Sequence, residues 1–169
     1  VVNLVEEGMD VAVRIGQLPD SGLKALRVGQ MRRLLCASPE YLARHGMPRH
    51  PSELHRHQII AAGALSPRTD WRFGAIDDPT LVRMKPRLTV TSNDAAIAAA
   101  SAGLGIARLL SYQVADELAD GRLQVILAEY EEASWPIHIL HRESKYGSTK
   151  VRTFIDMLAE HLRSQAHLA

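Results

Sequence analysis

The stretch that decides the fold is RLTVTSNDAAIAAASAGLGIARLL, residues Arg87 to Leu110. It reads as strand, helix, strand, with punctuation at both joints. Leu88 and Val90 with the β-branched Thr89 and Thr91 suit a pleated strand. Ser92-Asn93-Asp94 offers side-chain oxygens to the orphan N–H groups of a helix start, and the Asp94 carboxylate complements the positive end of the helix dipole. From Ala95 to Ala102 the helix is almost all alanine, with Ile97 its one large side chain. Gly103 stands where a left-handed residue closes a helix, and Gly105 loosens the turn into Gly-Ile-Ala-Arg-Leu-Leu, a short second strand. A helix this short is marginal alone. Alanine on every face lets other backbones come close, so the helix is expected between a sheet and a second surface. Its first N–H groups form a potential anion site.

Working outward toward the N-terminus, Val1 to Glu7 reads as a helix tail ended by Gly8, and Asp10 to Gly16 as a short β-rich run. Helix followed closely by strand is the rhythm of a parallel α/β sheet. Gln17 to Gly22 is a loop at the strand's C-terminal edge, where open α/β sheets bind ligands. Leu23 to Ser38 is long and strand-like, with Gly29 the expected break. Pro39 to Gly46 is a compact helix with Ser38 as cap and Pro39 in the first turn. Pro48 to Leu54 is a loop-helix with Ser52 as its cap. Gln58 to Ala62, Trp71 to Phe73 and Leu81 to Met84 read as strands, with loops between them. Toward the C-terminus, a helix from Ser111 closes at Gly121, and Leu123–Leu127 and Pro136–His141 are strands. The clearest amphipathic helix is 148–162, with Val151, Phe154, Ile155, Leu158 and Leu162 on one face.

Composition narrows the function classes. Hydrophobic residues make up 46% and charged residues 23%, the values of an ordinary soluble globular protein. Twenty Lys+Arg against nineteen Asp+Glu leave a net charge of +1, without the concentrated basic excess of a nucleic-acid surface. The single cysteine, Cys36, cannot close an internal disulfide, which fits a reducing compartment. No apolar run approaches the roughly 20 residues that span a bilayer. The opening VVNLVEEGMDVAV shows no signal peptide and starts in mid-element, as a fragment of a longer protein would.

Five collinear segments then resemble one family. EEGMDVAVRIGQLPDSGL, LLCASPEYLARHG, RLTVTSNDAAIAAASAGLGIA, ADELADGRL and KVRTFIDML look like the effector-binding domain of LysR-type transcriptional regulators, over Leu4 to Leu162. The resemblance implies an α/β, two-lobed, type 2 periplasmic-binding-protein-like fold with crossing strands between the lobes. Lobe I would be 1–33 plus 128–169, and lobe II 34–127. A small-molecule effector, often an organic anion, would bind between them. It further implies a cytoplasmic bacterial homodimer or tetramer that reaches DNA only through a winged helix-turn-helix absent here, as are a first strand and helix before Val1. This chain departs from the family after the glycine turn, carrying Arg108 and Leu110 where an apolar residue and a proline are common.

By position, Arg14, Gly16, Gln17 and Leu18 would line the cleft from one lobe, and Ala62, Gly63, Ser92, Asn93 and Asp94 from the other. Arg14 could grip a carboxylate through its forked donors. Capping alone also accounts for Ser92 to Asp94. The alanines Ala95, Ala96, Ala99 and Ala100 would form a two-fold subunit interface. Alternatives fare worse. His45, His50, His55 and His57 crowd one stretch, but Pro48 and Pro51 break the spacing a metal site needs, so no metal or cofactor is expected. Arg32-Arg33 and Arg49-His50 read as solvated basic spots. No nucleophile elbow, phosphate loop or carboxylate pair gives an enzyme its residues. A transporter's solute-binding protein, sharing the fold, is the second reading.

Overall fold

The computed structural model describes residues 8–18, 22–63, 70–74, 79–142 and 149–165, with Arg142 by its backbone only. The expected helix tail at 1–7 and most of the turn after Gly74 lie outside them. The chain forms two compact units, unit 1 from Val1–Met31 with Ser134–Ala169 and unit 2 from Arg32–Ala133. The chain passes from one unit to the other at 31/32 and 133/134, against the expected 33/34 and 127/128.

Unit 1 holds an antiparallel sheet of β1 (Val11–Ile15), β10 (Trp135–Arg142) and β2 (Leu23–Met31), with β10 central. Gly29 does not break β2. It pairs with Ile137, and the register slips by one residue before Arg27 meets His138. A bulge absorbs the irregularity, so the strand continues to Met31. The helix α4 (Thr149–Ser164) packs on β2 and buries Ile155 and Ala159. Phe154, expected on that face, is 54% exposed; the buried stripe is centred one position further round.

Unit 2 is built on a five-stranded sheet in the order β7 (Leu88–Val90), β4 (Ile59–Ala62), β8 (Ile106–Leu110), β3 (Arg33–Ala37), β9 (Gln124–Ile126). β4 runs parallel to β7 and β8, while β3 is antiparallel to β8 and β9. Period-two alternation sends successive side chains to opposite faces, and the inner strands β4, β8 and β3 bury residues on both. Leu34 and Cys36 of β3, Ile60 of β4, and Ala107 and Leu109 of β8 face α2 (Asn93–Ser101). Leu35, Ala37, Ile59 and Ile106 face a second core with Tyr41, Leu54, Trp71 and Phe73. That core is roofed by α1 (Pro39–His45), a 3₁₀ turn Pro51–Arg56, and the ribbon of β5 (Asp70–Phe73) with β6 (Thr80–Arg83).

The caps follow the chemistry of the sequence, with one exchange. The hydroxyls of Ser38 and Ser92 accept from the N–H groups of Tyr41 and Ala95, each at 3.2 Å. His50, not Ser52, caps the 3₁₀ turn, its ring nitrogen accepting from the N–H of Ser52 at 3.2 Å. The expected helix after Ser111 divides into a 3₁₀ turn Ser111–Gln113 and a single α turn, α3 (Ala115–Ala119).

Candidate functional site

β8 carries the side chain that organises the site. Alternation places Ile106 and Arg108 on the same face of the sheet, opposite Ala107 and Leu109. Arg108 is thus a charged residue inside an apolar strand, with a side chain only 9% exposed. Its guanidinium lies 5.9 Å from the Trp71 ring centre and 5.5 Å from that of Phe73, within cation–π reach. Nη2 donates to the carbonyl of Arg72 at 2.9 Å, which pins β5 to the sheet, and meets Glu132 Oε2 at 2.9 Å. Nε is buried and has no acceptor among the described residues. Burial lowers the pKa of the guanidinium, Glu132 raises it and Arg33 lowers it further. An arginine stays protonated throughout.

Glu132 also lies 3.5 Å from Arg33, and the neighbouring Glu131 lies 3.4 Å from Arg32. Arg32 and Arg33 are therefore engaged in ion pairs rather than merely solvated. Burial raises the pKa of the Glu131 carboxyl, and Arg32 pulls it back down. The chain reaches these glutamates through Leu127, whose φ of 54° is left-handed. That conformation costs an L-residue roughly 1–2 kcal/mol, which the burial of the Leu127 side chain offsets.

Beside Arg108 lies a cavity of about 380 Å³ within unit 2. Ile60, Ala61, Ala62, Leu109 and Leu110 give it apolar walls, and Trp71 closes the ribbon side. Its polar groups are Arg33, Asp70, Arg72, Asn93, Arg108 and Glu132. Apolar walls with a few convergent polar groups are the make-up of a small-molecule site.

The residues singled out from sequence divide between the two units. Arg14, Gly16, Gln17 and Leu18 belong to unit 1, where Gly16 N–H donates to the Pro136 carbonyl at 2.9 Å. Ala62 and Asn93 line the unit 2 cavity, and Asn93 donates to Gln113 Oε1 at 3.0 Å. Gly63 ties the end of β4 to β7 through the Val90 carbonyl at 2.9 Å, and Ser92 serves as cap. Asp94 instead borders a separate groove with Ala98, Ser101, Glu117 and Arg122.

The alanines need a correction. Ala96, Ala99 and Ala100 are buried in unit 2's own core against the sheet, and Ala95 with Ala98 and Ala102 is exposed. Ile97, buried with the first three, is the helix's one large side chain, and a single size difference is too little to set a periodic pattern for the side that faces the sheet. Arg33, Arg108 and Glu132 escaped the sequence reading of the site. The signal was there in Arg108, a lone charge in GIARLL.

Among the described residues, no group of three or more His, Cys, Asp or Glu converges closely enough to hold a metal ion. None of their helices is long and apolar enough to cross a membrane.

The fold is α/β and two-lobed, of the type 2 periplasmic-binding-protein-like class. The profile of the LysR substrate binding domain matches residues 1–163, and the chain belongs to that family. The HTH-type transcriptional regulator CrgA of Neisseria meningitidis serogroup C (strain 8013) is 33% identical over 163 residues, covering 95% of this chain and 54% of that protein. Among solved structures, the regulatory domain of AphB from Vibrio vulnificus, treated with cumene hydroperoxide, superposes with a TM-score of 0.82 at 29% identity, over 94% of this chain and 78% of that one. The regulatory domain of CrgA from Neisseria meningitidis gives 0.76 at 31% identity, over 95% and 79%. The chain spans about half the length of the curated relatives it matches, which are transcriptional regulators rather than enzymes.

Proposed function

We propose that this chain is the effector-sensing and oligomerisation part of a cytoplasmic LysR-type transcriptional regulator. The observation that carries this reading is the family match across residues 1–163. The cavity beside Arg108 supplies a place for a small effector. An effector acts only through its differential affinity for two arrangements of the regulator, so the signal is the population it favours. DNA would be contacted by a segment outside this chain. The exposed side of α2, with Ala95, Ala98 and Ala102, would face a second copy across a two-fold axis, where each substitution appears twice.

Chromatin immunoprecipitation of the full-length protein, compared with the 169-residue chain alone, tests the reading. Discrete enriched DNA sites for the full-length protein only are the expected result. Export of the full-length protein, with loss of solute uptake on its deletion and no enriched sites, would replace the regulator by a transporter's binding protein.

A further inference from the structure

Arginine binds carboxylates best through the edge formed by Nε and Nη2, whose two N–H groups match the two oxygens of the anion. In Arg108 that edge is half engaged. Nη2 meets Glu132 at 2.9 Å and donates to the Arg72 carbonyl at 2.9 Å, while Nε is itself buried and has no acceptor among the described residues. A buried donor left unpaired carries its full desolvation cost, and a native fold rarely keeps one without a use. The side chain sits on the wall of the unit 2 cavity, next to apolar Ile60, Ala61 and Leu109. Glu132 already holds the position an anionic ligand would take, 3.5 Å from Arg33 as well. Asp70, the other carboxylate on this wall, is exposed to solvent and weakly felt.

We infer that the cavity takes a small carboxylate attached to an apolar body, with Arg108 as its specificity-determining residue and Glu132 as the resident counter-ion it displaces. The carboxylate engages Nε and Nη2 together, and the apolar body lies against Ile60, Ala61 and Leu109. Glu132, released from Arg108, keeps Arg33. This inference rests on the reading of the cavity as a ligand site.

The test is a ¹H–¹⁵N NMR titration of the 169-residue chain with cyclohexanecarboxylate, and separately with cyclohexanecarboxamide, the same body without charge. The acid is expected to shift the Ala61, Ala62 and Leu109 amides saturably, with the amide binding roughly tenfold more weakly or worse. Arg108→Gln should abolish the preference, and Glu132→Gln should tighten acid binding by about threefold or more, because a competing charge is gone. If Arg108→Gln loses its dispersed spectrum, the acid–amide contrast and Glu132→Gln decide alone. Equal binding of acid and amide, or acid binding unchanged in Glu132→Gln, overturns the inference while leaving the cavity a ligand site. Absence of any saturable shift with either probe overturns both.

Discussion

Cys36 is the kind of residue whose chemistry its surroundings cancel. Its side chain is fully buried between β3's neighbours and α2, and burial, aided by the charge of Glu131, pushes the thiol pKa up to about 12. Near pH 8 the thiolate is then on the order of one part in ten thousand, and only the thiolate reacts. Labelling by Ellman's reagent should be at least roughly a hundredfold slower in the native chain than in urea, and comparable rates would show an open site. Tyr41 is the opposite case, a buried ring whose hydroxyl works in both directions. It accepts from Gln58 N–H at 2.9 Å and, with Nδ1 of His57 as the unprotonated ring nitrogen, donates to it at 3.2 Å, while His45 stacks on its face. Burial lowers the pKa of His57, the charge of His45 lowers it further, and Glu53 partly restores it. A histidine whose folded pKa lies below its ordinary 6.5 gives stability that is intact above that value. The stability is lost as pH falls through the folded pKa, because the unfolded chain then binds more protons. The urea midpoint of the wild-type chain should therefore drop between about pH 7.5 and about pH 5 by more than that of His57→Gln. Parallel curves for the two proteins would remove His57 from this dependence.

At the scale of elements, α2 shows what a pattern of small residues can and cannot say. Its place between two strands, its Ser92 cap and its closing glycines were legible in TSNDAAIAAASAGLGIA because each rests on local chemistry. Gly105 adds a close approach, since a Cβ there would run into the Gln58 carbonyl that accepts the Ile106 N–H at 2.8 Å. Which side of the helix meets the sheet was not legible. Periodicity arguments need a repeated contrast in size or polarity, and around the lone Ile97 the alanines Ala95, Ala96, Ala98, Ala99, Ala100 and Ala102 supply none. The site was half legible for a related reason. Position alone pointed to Ala62 and Asn93, whereas the Arg33–Glu132–Arg108 cluster joins residues distant in sequence that only the fold brings together. The two sides of α2 should respond differently to added bulk. Ala100→Leu would force extra volume into a closed core and cost about 1–3 kcal/mol of unfolding free energy. Ala98→Lys, on the exposed side, should stay within about 0.5 kcal/mol of wild type when both are measured at concentrations dilute enough to keep the chain monomeric, since an interface residue affects stability only through association. Chemical denaturation of both variants checks this, and equal losses would mean that the helix is covered on both sides within the monomer.

The whole molecule has two units of unequal construction, and this bears on both DNA binding and folding. A net charge of +1 leaves few phosphate contacts, and non-specific affinity depends on their number, so the chain by itself should give no gel shift at nanomolar concentration and physiological salt. A salt-sensitive shift under those conditions would locate a basic surface in this chain. Folding follows from how the two units are assembled. Unit 1 brings together the two ends of the chain, because its central strand β10 pairs with β1 and β2 from more than a hundred residues away. Unit 2 is one continuous segment, Arg32–Ala133, and both of its hydrophobic clusters are drawn from within it. Its five-stranded sheet, the β5–β6 ribbon, the Arg32–Glu131 and Arg33–Glu132 pairs and the Arg108 clamp on β5 need nothing from outside the segment. A segment with its own closed core and satisfied sheet satisfies the usual condition for independent folding. Residues 32–133 expressed alone should therefore give a dispersed ¹H–¹⁵N spectrum and one cooperative urea transition, with a slope in proportion to the surface that segment buries. Residues 1–31 and 134–169, each without its partner strands, should give the narrow spectra of unfolded chains. A collapsed spectrum for 32–133, restored only on adding the two end segments, would show that the core of unit 2 depends on the crossings rather than on itself.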